Sequence, residues 1–368
     1  MMAQKAQDIL VTIGMNVYNG ERFLREALDS ALRQTHENLE ILVYDDGSTD
    51  GTPAILASIS DPRVRVIRAE TNRGLGHGRH RLQREARGRY VTWLDADDVF
   101  LPNRVERLLA HALETGAEIT CDVYQYMTHD GRLLPKWHRI PEKVASEPHF
   151  TRLFERNVMI PHPLIRHTCL KSLSYDASFR HSEDYDFWLR CSFAGKRFVV
   201  CDAIGLRYRL TPGSLSKNIR RSREQTRKAL SKYALSDIVQ LYRARRYSSA
   251  HIHYMLCLQH VFRGCYQEAL VYANRSWPDE SDVDQDFYLG TLYLRTSCFA
   301  QARKHLETHL ERQPESPAGL NNLGVLLESV GRDGSKHFQW ALRVRPDYYD
   351  ARQNLQRSTD WFITDTQL

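Results

Sequence analysis

The sequence has no apolar run of the roughly 18 residues that a membrane-spanning helix needs, so no segment reads as a bilayer crossing. Its seven cysteines are odd in number, and no two are spaced C-x-x-C. A disulfide framework or a zinc site would call for pairs, so the seven read as reduced, mostly buried thiols. The N-terminal pattern of a secretory leader is also missing, because Met1 to Asp8 is polar and only the short run Ile9 to Ile13 follows. These absences together predict a cytoplasmic protein. Neither sign of charge dominates: Lys and Arg number 51 against 45 Asp and Glu, a formal balance of +6. Such a balance suits a protein that meets anions, without choosing between nucleotides, headgroups and nucleic acid. Aromatic residues are not scarce, at 10%, which excludes long disorder. A chain of 368 residues exceeds one compact core and predicts two domains.

Up to about residue 125 the chain alternates strand-like and helix-like segments. Ile9–Ile13, Glu40–Tyr44, Val64–Ile67, Tyr90–Leu94 and Ile119–Val123 are short apolar runs of the kind found in buried strands. Helical spacing fills the gaps, first in Phe23, Leu24, Ala27, Leu28, Ala31 and Leu32, then around 52–60, 74–88 and 102–115. Alternation of this kind predicts an α/β domain with a mostly parallel sheet and helices on both faces. Ligands of such sheets bind beyond the carboxyl ends of the strands, and two of these strands end in Asp45 and Asp95. Farther on the pattern weakens, with helices expected near 147–156 and 183–193 and strands near 197–201 and 205–209.

From Lys217 the character changes. Lys217, Arg220, Arg221, Arg223, Arg227 and Lys228 face a single acid, Glu224. Beyond them a repeat can be counted: Leu256, Leu289 and Leu323 recur at intervals of 33 and 34, and Ala269 and Ala302 are 33 apart. Pro314 and Pro346 close two units, and the last is two residues short. A period near 34 with small residues at helix crossings marks stacked helix pairs and resembles tetratricopeptide repeats. The expected organisation is a catalytic domain at 1–216, a basic helical linker at 217–248 and a tetratricopeptide-like all-α domain at 249–368.

Four segments carry chemistry. In Trp93-Leu94-Asp95-Ala96-Asp97-Asp98 three carboxylates crowd a strand end and oppose each other's ionisation. A divalent cation removes that conflict, and Mg²⁺ or Mn²⁺ with a diphosphate completing its shell is the usual arrangement. The plain alternative is an acidic turn into the helix at 102–115. In Asp45-Asp46-Gly47-Ser48-Thr49-Asp50-Gly51 small residues allow a tight turn, and the Asp45 carboxylate can accept from a nucleobase N–H; Thr49 or Asp50 can also cap the next helix. Asn72-Arg73-Gly74-Leu75-Gly76-His77-Gly78-Arg79 is a Gly-rich turn opening a helix, suited to an anion, with Arg73 and Arg79 as phosphate partners. It lacks the third glycine of a dinucleotide fingerprint and follows the third strand instead of the first. His181-Ser182-Glu183-Asp184-Tyr185-Asp186 places acids before an apolar helix, either as a capping cluster or as a general base at the mouth of a site.

These segments, with Thr12-Ile13-Gly14-Met15-Asn16-Val17-Tyr18 ahead of them, occur in the order and spacing of the inverting family 2 glycosyltransferases, which the chain resembles over about residues 8–216. The resemblance implies a GT-A fold. It implies that Val17 and Tyr18 line a nucleotide pocket, that Asp45 contacts the base beside Asp46, and that Gly74 and Arg79 lie near the ribose and diphosphate. Asp95 and Asp97 would form the D-x-D pair, with Asp97 the more direct metal ligand. Asp184 would be the catalytic base and Glu183 its neighbour on the acceptor side. Tyr208-Arg209-Leu210-Thr211-Pro212-Gly213-Ser214 is similar to a loop that closes over the donor, with Ser214 on the donor side. Three positions depart from the family: Asn16 stands where proline is usual, His80 where asparagine is frequent, and Thr211 where histidine is frequent. No Q-x-x-R-W motif of processive members occurs in the catalytic region, so one sugar per encounter is expected.

The implied reaction moves a sugar from a nucleotide-diphosphate donor, a UDP-sugar favoured, to a hydroxyl on a glycan, a lipid-linked glycan or a protein. A D-x-D pair beside a Gly-rich turn favours transfer over hydrolysis, which uses two carboxylates and no diphosphate clamp. A reading from another class is a decayed catalytic domain acting as a scaffold through its repeats. The repeats suit a protein partner, a polypeptide acceptor or self-association through 249–368. The basic run is either a solvated helix face or a peripheral contact with anionic lipid at the inner face of the membrane. No nucleic-acid recognition motif accompanies it.

Overall fold

The computed structural model describes residues 7–159, 162–180, 182–211, 219–279, 284–356 and 361–365. The chain divides into two units, Met1–Ala229 and Leu230–Leu368.

The first unit opens with β1 (Val11–Val17), α1 (Leu24–Leu32), β2 (Leu39–Asp45), α2 (Thr52–Ala57), β3 (Val64–Arg68), α3 (Leu75–Glu85) and β4 (Tyr90–Trp93). It continues through β5 (Val99–Phe100), α4 (Arg104–Thr115), β6 (Ile119–Thr128), β7 (Leu133–His138) and α5 (Glu142–Ala145). A 3₁₀ turn at Thr151–Phe154 precedes β8 (Leu164–Arg166), α6 (His167–Ser172), α7 (Glu183–Phe193) and β9 (Phe198–Leu210). One sheet runs β3-β2-β1-β4-β8-β6-β9-β5, with β7 on β6. Strands β3, β2, β1 and β4 are mutually parallel. Their apolar runs are buried on both faces in β1, β2 and β4, as helices packed on both sides of a parallel sheet require.

The expectation of a mostly parallel sheet holds for this half and needs correction for the other. β8 runs antiparallel to both β4 and β6, β5 antiparallel to β9, and β7 antiparallel to β6, while β6 and β9 are parallel. Strand direction is legible only while strand and helix alternate, and the alternation stops after β4. β1 also extends past Ile13 through Gly14 to Val17, paired with β2 as far as Asp45; the Trp93 ring fills the space over Gly14, where a Cβ would sit 2.5 Å from it. The two strands expected near 197–209 are one, bent by register shifts against β6. Of the helix expected at 147–156, only the 3₁₀ turn Thr151–Phe154 is helical.

A buried ion pair fixes α4 against the sheet. Arg104 is fully buried; its Nε donates to Asp122 Oδ2 at 2.8 Å and one Nη to Asp122 Oδ1 at 3.1 Å. Its other Nη donates to Thr92, while the Nη that meets Asp122 also donates to the His162 carbonyl. Removing one partner strands the other charge away from water. Arg104→Met is therefore expected to lower the unfolding free energy by about 3–5 kcal/mol, read from the urea midpoint, and Arg104→Met/Asp122→Leu to recover much of it.

After α8 (Ile219–Leu230), the regular elements among the second unit's described residues are all helices: α9 (Leu235–Ala244), α10 (Ser249–Arg263), α11 (Tyr266–Ala273), α12 (Gln285–Arg295), α13 (Phe299–Arg312), α14 (Pro317–Ser329), α15 (Ser335–Val344) and α16 (Tyr349–Leu355). Helices pack as consecutive pairs, α10 with α11, α12 with α13 and α14 with α15. The small residues of the repeat lie where helices cross: a Cβ on Gly290 would come within 2.7 Å of Leu306, and one on Gly324 within 2.6 Å of Phe338. The shortened last unit keeps a regular α15. The shortening is taken by the helix itself, 10 residues against 14 in α13, and a Cβ on Gly334 in the turn before it would meet the Gly324 carbonyl at 2.1 Å.

Candidate active site

The ends of β1, β2 and β4 and the start of α7 bring the sequence motifs to one edge of the sheet. Val17 closes β1 and is buried, and Tyr18 beyond it is 49% exposed, free to meet a ligand. At the end of β2, Asp45 Oδ1 accepts from the Ser48 N–H at 2.9 Å and Oδ2 faces Arg68 Nε at 3.4 Å. Asp46 accepts from the Arg73 N–H at 2.9 Å through Oδ1 and from the Gly74 N–H at 2.8 Å through Oδ2. The Asp-Asp-Gly motif thus ties down the Gly-rich turn. Gly74 has φ 90, where a side chain is strained, and it caps α3.

Arg79 leaves α3 and is 5% exposed. Its Nη2 lies 3.0 Å from Asp95 Oδ1, its Nε lies 3.4 Å from Glu183 Oε1, and its guanidinium sits over the Trp93 ring. One cation therefore joins the strand-end acids to the acids of α7. Glu183 is buried and Asp184 half-buried. The Glu183 carboxyl is pushed up to about 8 by burial and by the neighbouring Asp184, against the pull of Arg79. Burial raises the Asp184 carboxyl as well, again opposed by Arg79.

On the other side of Asp95 lies Asp97, whose carboxyl is pushed up to about 6 by burial and by the charge of Asp95. Thr211 Oγ1 donates to Asp97 Oδ2 at 3.4 Å, so the position that departs from the family's histidine still touches this acid. Asp98 is fully buried between His162 Nε2 at 2.9 Å and the Arg209 N–H at 2.8 Å. Arg209 also donates through Nε to the Asp97 carbonyl and through Nη2 to Glu26, and it lies over Phe23. Asp95, Asp98 and His162 form the group of possible metal ligands among the described residues, their donor atoms within 4.8 Å of one another. His162 had no sequence signal, since a single histidine between prolines in an unpatterned stretch looks like any other. Asn16 packs on α3, where a Cβ on Gly78 would meet its Oδ1 at 2.0 Å; the departure from proline is matched by a glycine opposite. His80 Nδ1 pairs with the Tyr175 carbonyl, away from the acids. Ser214, like Pro212, Gly213 and His181, lies outside the described residues.

A model of glycosyl transferase family 2 matches residues 12–177. Succinoglycan biosynthesis protein ExoO of Rhizobium meliloti is 32% identical over 251 residues, 64% of this chain and 72% of that protein. The UDP-Glc:alpha-D-GlcNAc-diphosphoundecaprenol beta-1,3-glucosyltransferase WfgD of Escherichia coli is 28% identical over 213 residues, 57% of this chain and 81% of that protein. The crystal structure of S. aureus TarS 1-349 superposes with a TM-score of 0.51 at 18% identity, covering 83% of this chain and 87% of that one, a likeness of fold. Motif order, sheet topology and relatives agree: the chain belongs to glycosyl transferase family 2, a glycosyltransferase enzyme with a GT-A catalytic unit and a helical C-terminal one.

Proposed function

We propose that the enzyme transfers one sugar per encounter, with inversion, from a nucleoside-diphosphate donor to a hydroxyl acceptor. The observation that carries this reading is the bridge made by Arg79 between the strand-end acids and the acids of α7. It sets a diphosphate-side pair and a base within one edge of the sheet. Asp184 takes the proton from the acceptor hydroxyl, whose oxygen attacks the anomeric carbon as the nucleoside diphosphate leaves. Glu183 stands beside it on the acceptor side. Asp46 holds the Gly-rich turn whose backbone faces the donor, and Val17, Tyr18 and Asp45 form the base pocket.

The residues present fit a divalent cation. Burial and the charge of Asp95 raise the Asp97 carboxyl, a conflict that a cation would relieve, and an all-carboxylate pair suits a hard ion such as Mn²⁺ or Mg²⁺. When bound, the ion would offset charge developing on the departing diphosphate. The departures at Asn16 and Thr211 leave every one of these acids in place, which removes the ground for a decayed scaffold.

A uridine diphosphate donor is favoured, in line with the donor named for the Escherichia coli relative. A thermal-shift screen of UDP, GDP and dTDP with Mn²⁺ tests it; UDP should give the largest rise, since a ligand that binds only the folded state stabilises by mass action. The same relative's acceptor is lipid-linked, and it supports a lipid-linked glycan here, delivered at the inner face of the membrane. No helix among the described residues is long and apolar enough to cross a membrane, so such contact would be peripheral. The basic run is its candidate surface, although Lys228 at its end donates to Ser178 and lies over Phe179 within the catalytic unit. The helical unit, tetratricopeptide-like by its spacing, would recruit a partner or acceptor or mediate self-association.

The raised acids give the reaction a pH signature. A base acts only when ionised, so activity must fall as pH drops through its folded-state value. Glu183 and Asp184 titrate as a pair, and burial raises both. The acid limb of kcat/KM is expected at a midpoint between ~4, the value of a free carboxylate, and the value of about 8 that Glu183 reaches. A midpoint no higher than that of a free carboxylate would mean that neither acid is the base.

A further inference from the structure

The helical unit holds an extended stretch of its own chain. Residues 361–365 are not helical and lie against α12, α14 and α16, the first helices of successive pairs. Three asparagines face them, Asn321 and Asn322 on α14, both fully buried, and Asn354 on α16, 2% exposed. Asn322 donates through Nδ2 to the Thr364 carbonyl at 2.8 Å and accepts from the Thr364 N–H at 2.8 Å. Asn354 repeats the pattern two residues earlier, donating to the Phe362 carbonyl at 3.0 Å and accepting from the Phe362 N–H at 2.7 Å. Asn321 adds a second donor to the Phe362 carbonyl at 2.8 Å. A side-chain amide carries a donor and an acceptor side by side, so it meets a peptide unit much as a neighbouring strand would. Positions 362 and 364 are two apart, the spacing at which an extended chain returns to the same side.

Main-chain contacts of this kind read conformation, and they are indifferent to side chains. Helices packed only for stability have no use for three buried amides, which cost free energy wherever they lack partners. Side-chain contacts then add a pattern. Trp361 stacks on Phe338 with ring centroids 6.0 Å apart. The Thr364 hydroxyl donates to Asp350 at 2.6 Å and pairs with Tyr348. Arg295 binds the Asp365 carboxylate at 2.7 Å and the Ile363 carbonyl at 3.2 Å. We propose that this face is a receptor for an extended polypeptide segment, and that Trp361–Asp365 is its resident, displaceable occupant. The partner it fits is a segment of another protein with an aromatic residue, a hydroxyl three positions later and an acid next to it. A tethered occupant competes at an effective concentration in the mM range, so an incoming peptide binds weakly until the tail is released.

The test uses the full chain and a capped, fluorescein-labelled peptide of sequence Trp-Phe-Ile-Thr-Asp. Thr364→Pro removes the N–H and the hydroxyl that anchor the tail. Fluorescence anisotropy should show saturable binding to that variant at least tenfold tighter than to the wild type, lost on adding Asn322→Ala and Asn354→Ala. Absence of saturable binding to a Thr364→Pro chain that keeps the wild-type circular dichroism melt would overturn the proposal, as would binding that survives loss of the asparagines. Should that variant not fold, hydrogen exchange on the wild type decides. The Phe362 and Thr364 amides should exchange faster than those of α14 and faster still with added peptide; protection equal to α14 in both conditions would refute a displaceable tail.

Discussion

Asp184→Asn is expected to lower kcat by ~10²–10⁴-fold while leaving donor binding unchanged. An amide keeps the size of the carboxylate and can still accept from the Tyr185 N–H, which lies 2.7 Å from Asp184 Oδ1, so the start of α7 should not move. What it cannot do is take a proton. The proposed donor side lies across Arg79, which contacts Asp95 there, and that acid is untouched by the change. Single-turnover kinetics with saturating donor, and calorimetry of nucleotide binding, separate the two effects. A variant that keeps near-normal turnover would remove Asp184 from the role; one that loses donor affinity in parallel would make it a binding group. Glu183→Gln makes a useful contrast. Glu183 is the buried partner of Arg79, so its loss should disturb the position of Asp95 as well and affect both kcat and KM.

Much of this site is legible in the sequence because each part is local. Asp45 and Asp95 follow apolar runs directly, so their place at strand ends follows from the strands. Glu183 and Asp184 precede an apolar helical pattern and therefore stand at its first turn. The Gly-rich turn announces itself through Gly74, which takes a positive φ. Contacts between distant segments are not legible. Nothing in Arg79 says that it will face Glu183 more than a hundred positions later instead of a phosphate. Nothing in His162 says that it will pair with Asp98. Arg209 lies within a recognisable loop segment, yet its four attachments, to Asp97, Asp98, His129 and Glu26, follow from the pairing of β9 with β5 on one side and β6 on the other, which no local pattern announces. The sheet shows the same divide. Its parallel half comes from strand–helix alternation, whereas β5, β7 and β8 are too short or too polar to show a period of two, and their directions follow from packing. In the helical unit the period of 33 to 34 locates the pairs, but the buried asparagines of α14 and α16 read from sequence as unremarkable polar positions.

Asp97→Ala should abolish the metal-dependent part of donor binding, and the reason lies in the free enzyme. The Asp97 carboxyl is pushed up to about 6 because burial and Asp95 both resist its charge. A carboxyl raised in the folded state binds its proton more tightly there than in the unfolded chain, so ionising it above that value costs folding stability, on the order of 3 kcal/mol. That cost is present at pH 8 and absent at about pH 3, below the ordinary carboxylate value. Two results follow for the protein without metal. The wild type should lose stability as pH rises from 4 to 8, and Asp97→Ala should lose less, so that the variant melts at least as high as the wild type at pH 8. A divalent cation reverses the balance for the wild type alone, because it binds the ionised form and removes the repulsion. Mn²⁺ affinity should therefore climb with pH through about 6 in the wild type and be lost in the variant, along with the rise in Tm given by nucleoside diphosphate and Mn²⁺ together. Calorimetric titration of Mn²⁺ and nucleotide at two pH values reads all of this without turnover. Unchanged Mn²⁺-dependent binding in Asp97→Ala would move the ion off Asp97 and onto Asp95, Asp98 and His162, whose donor atoms already converge.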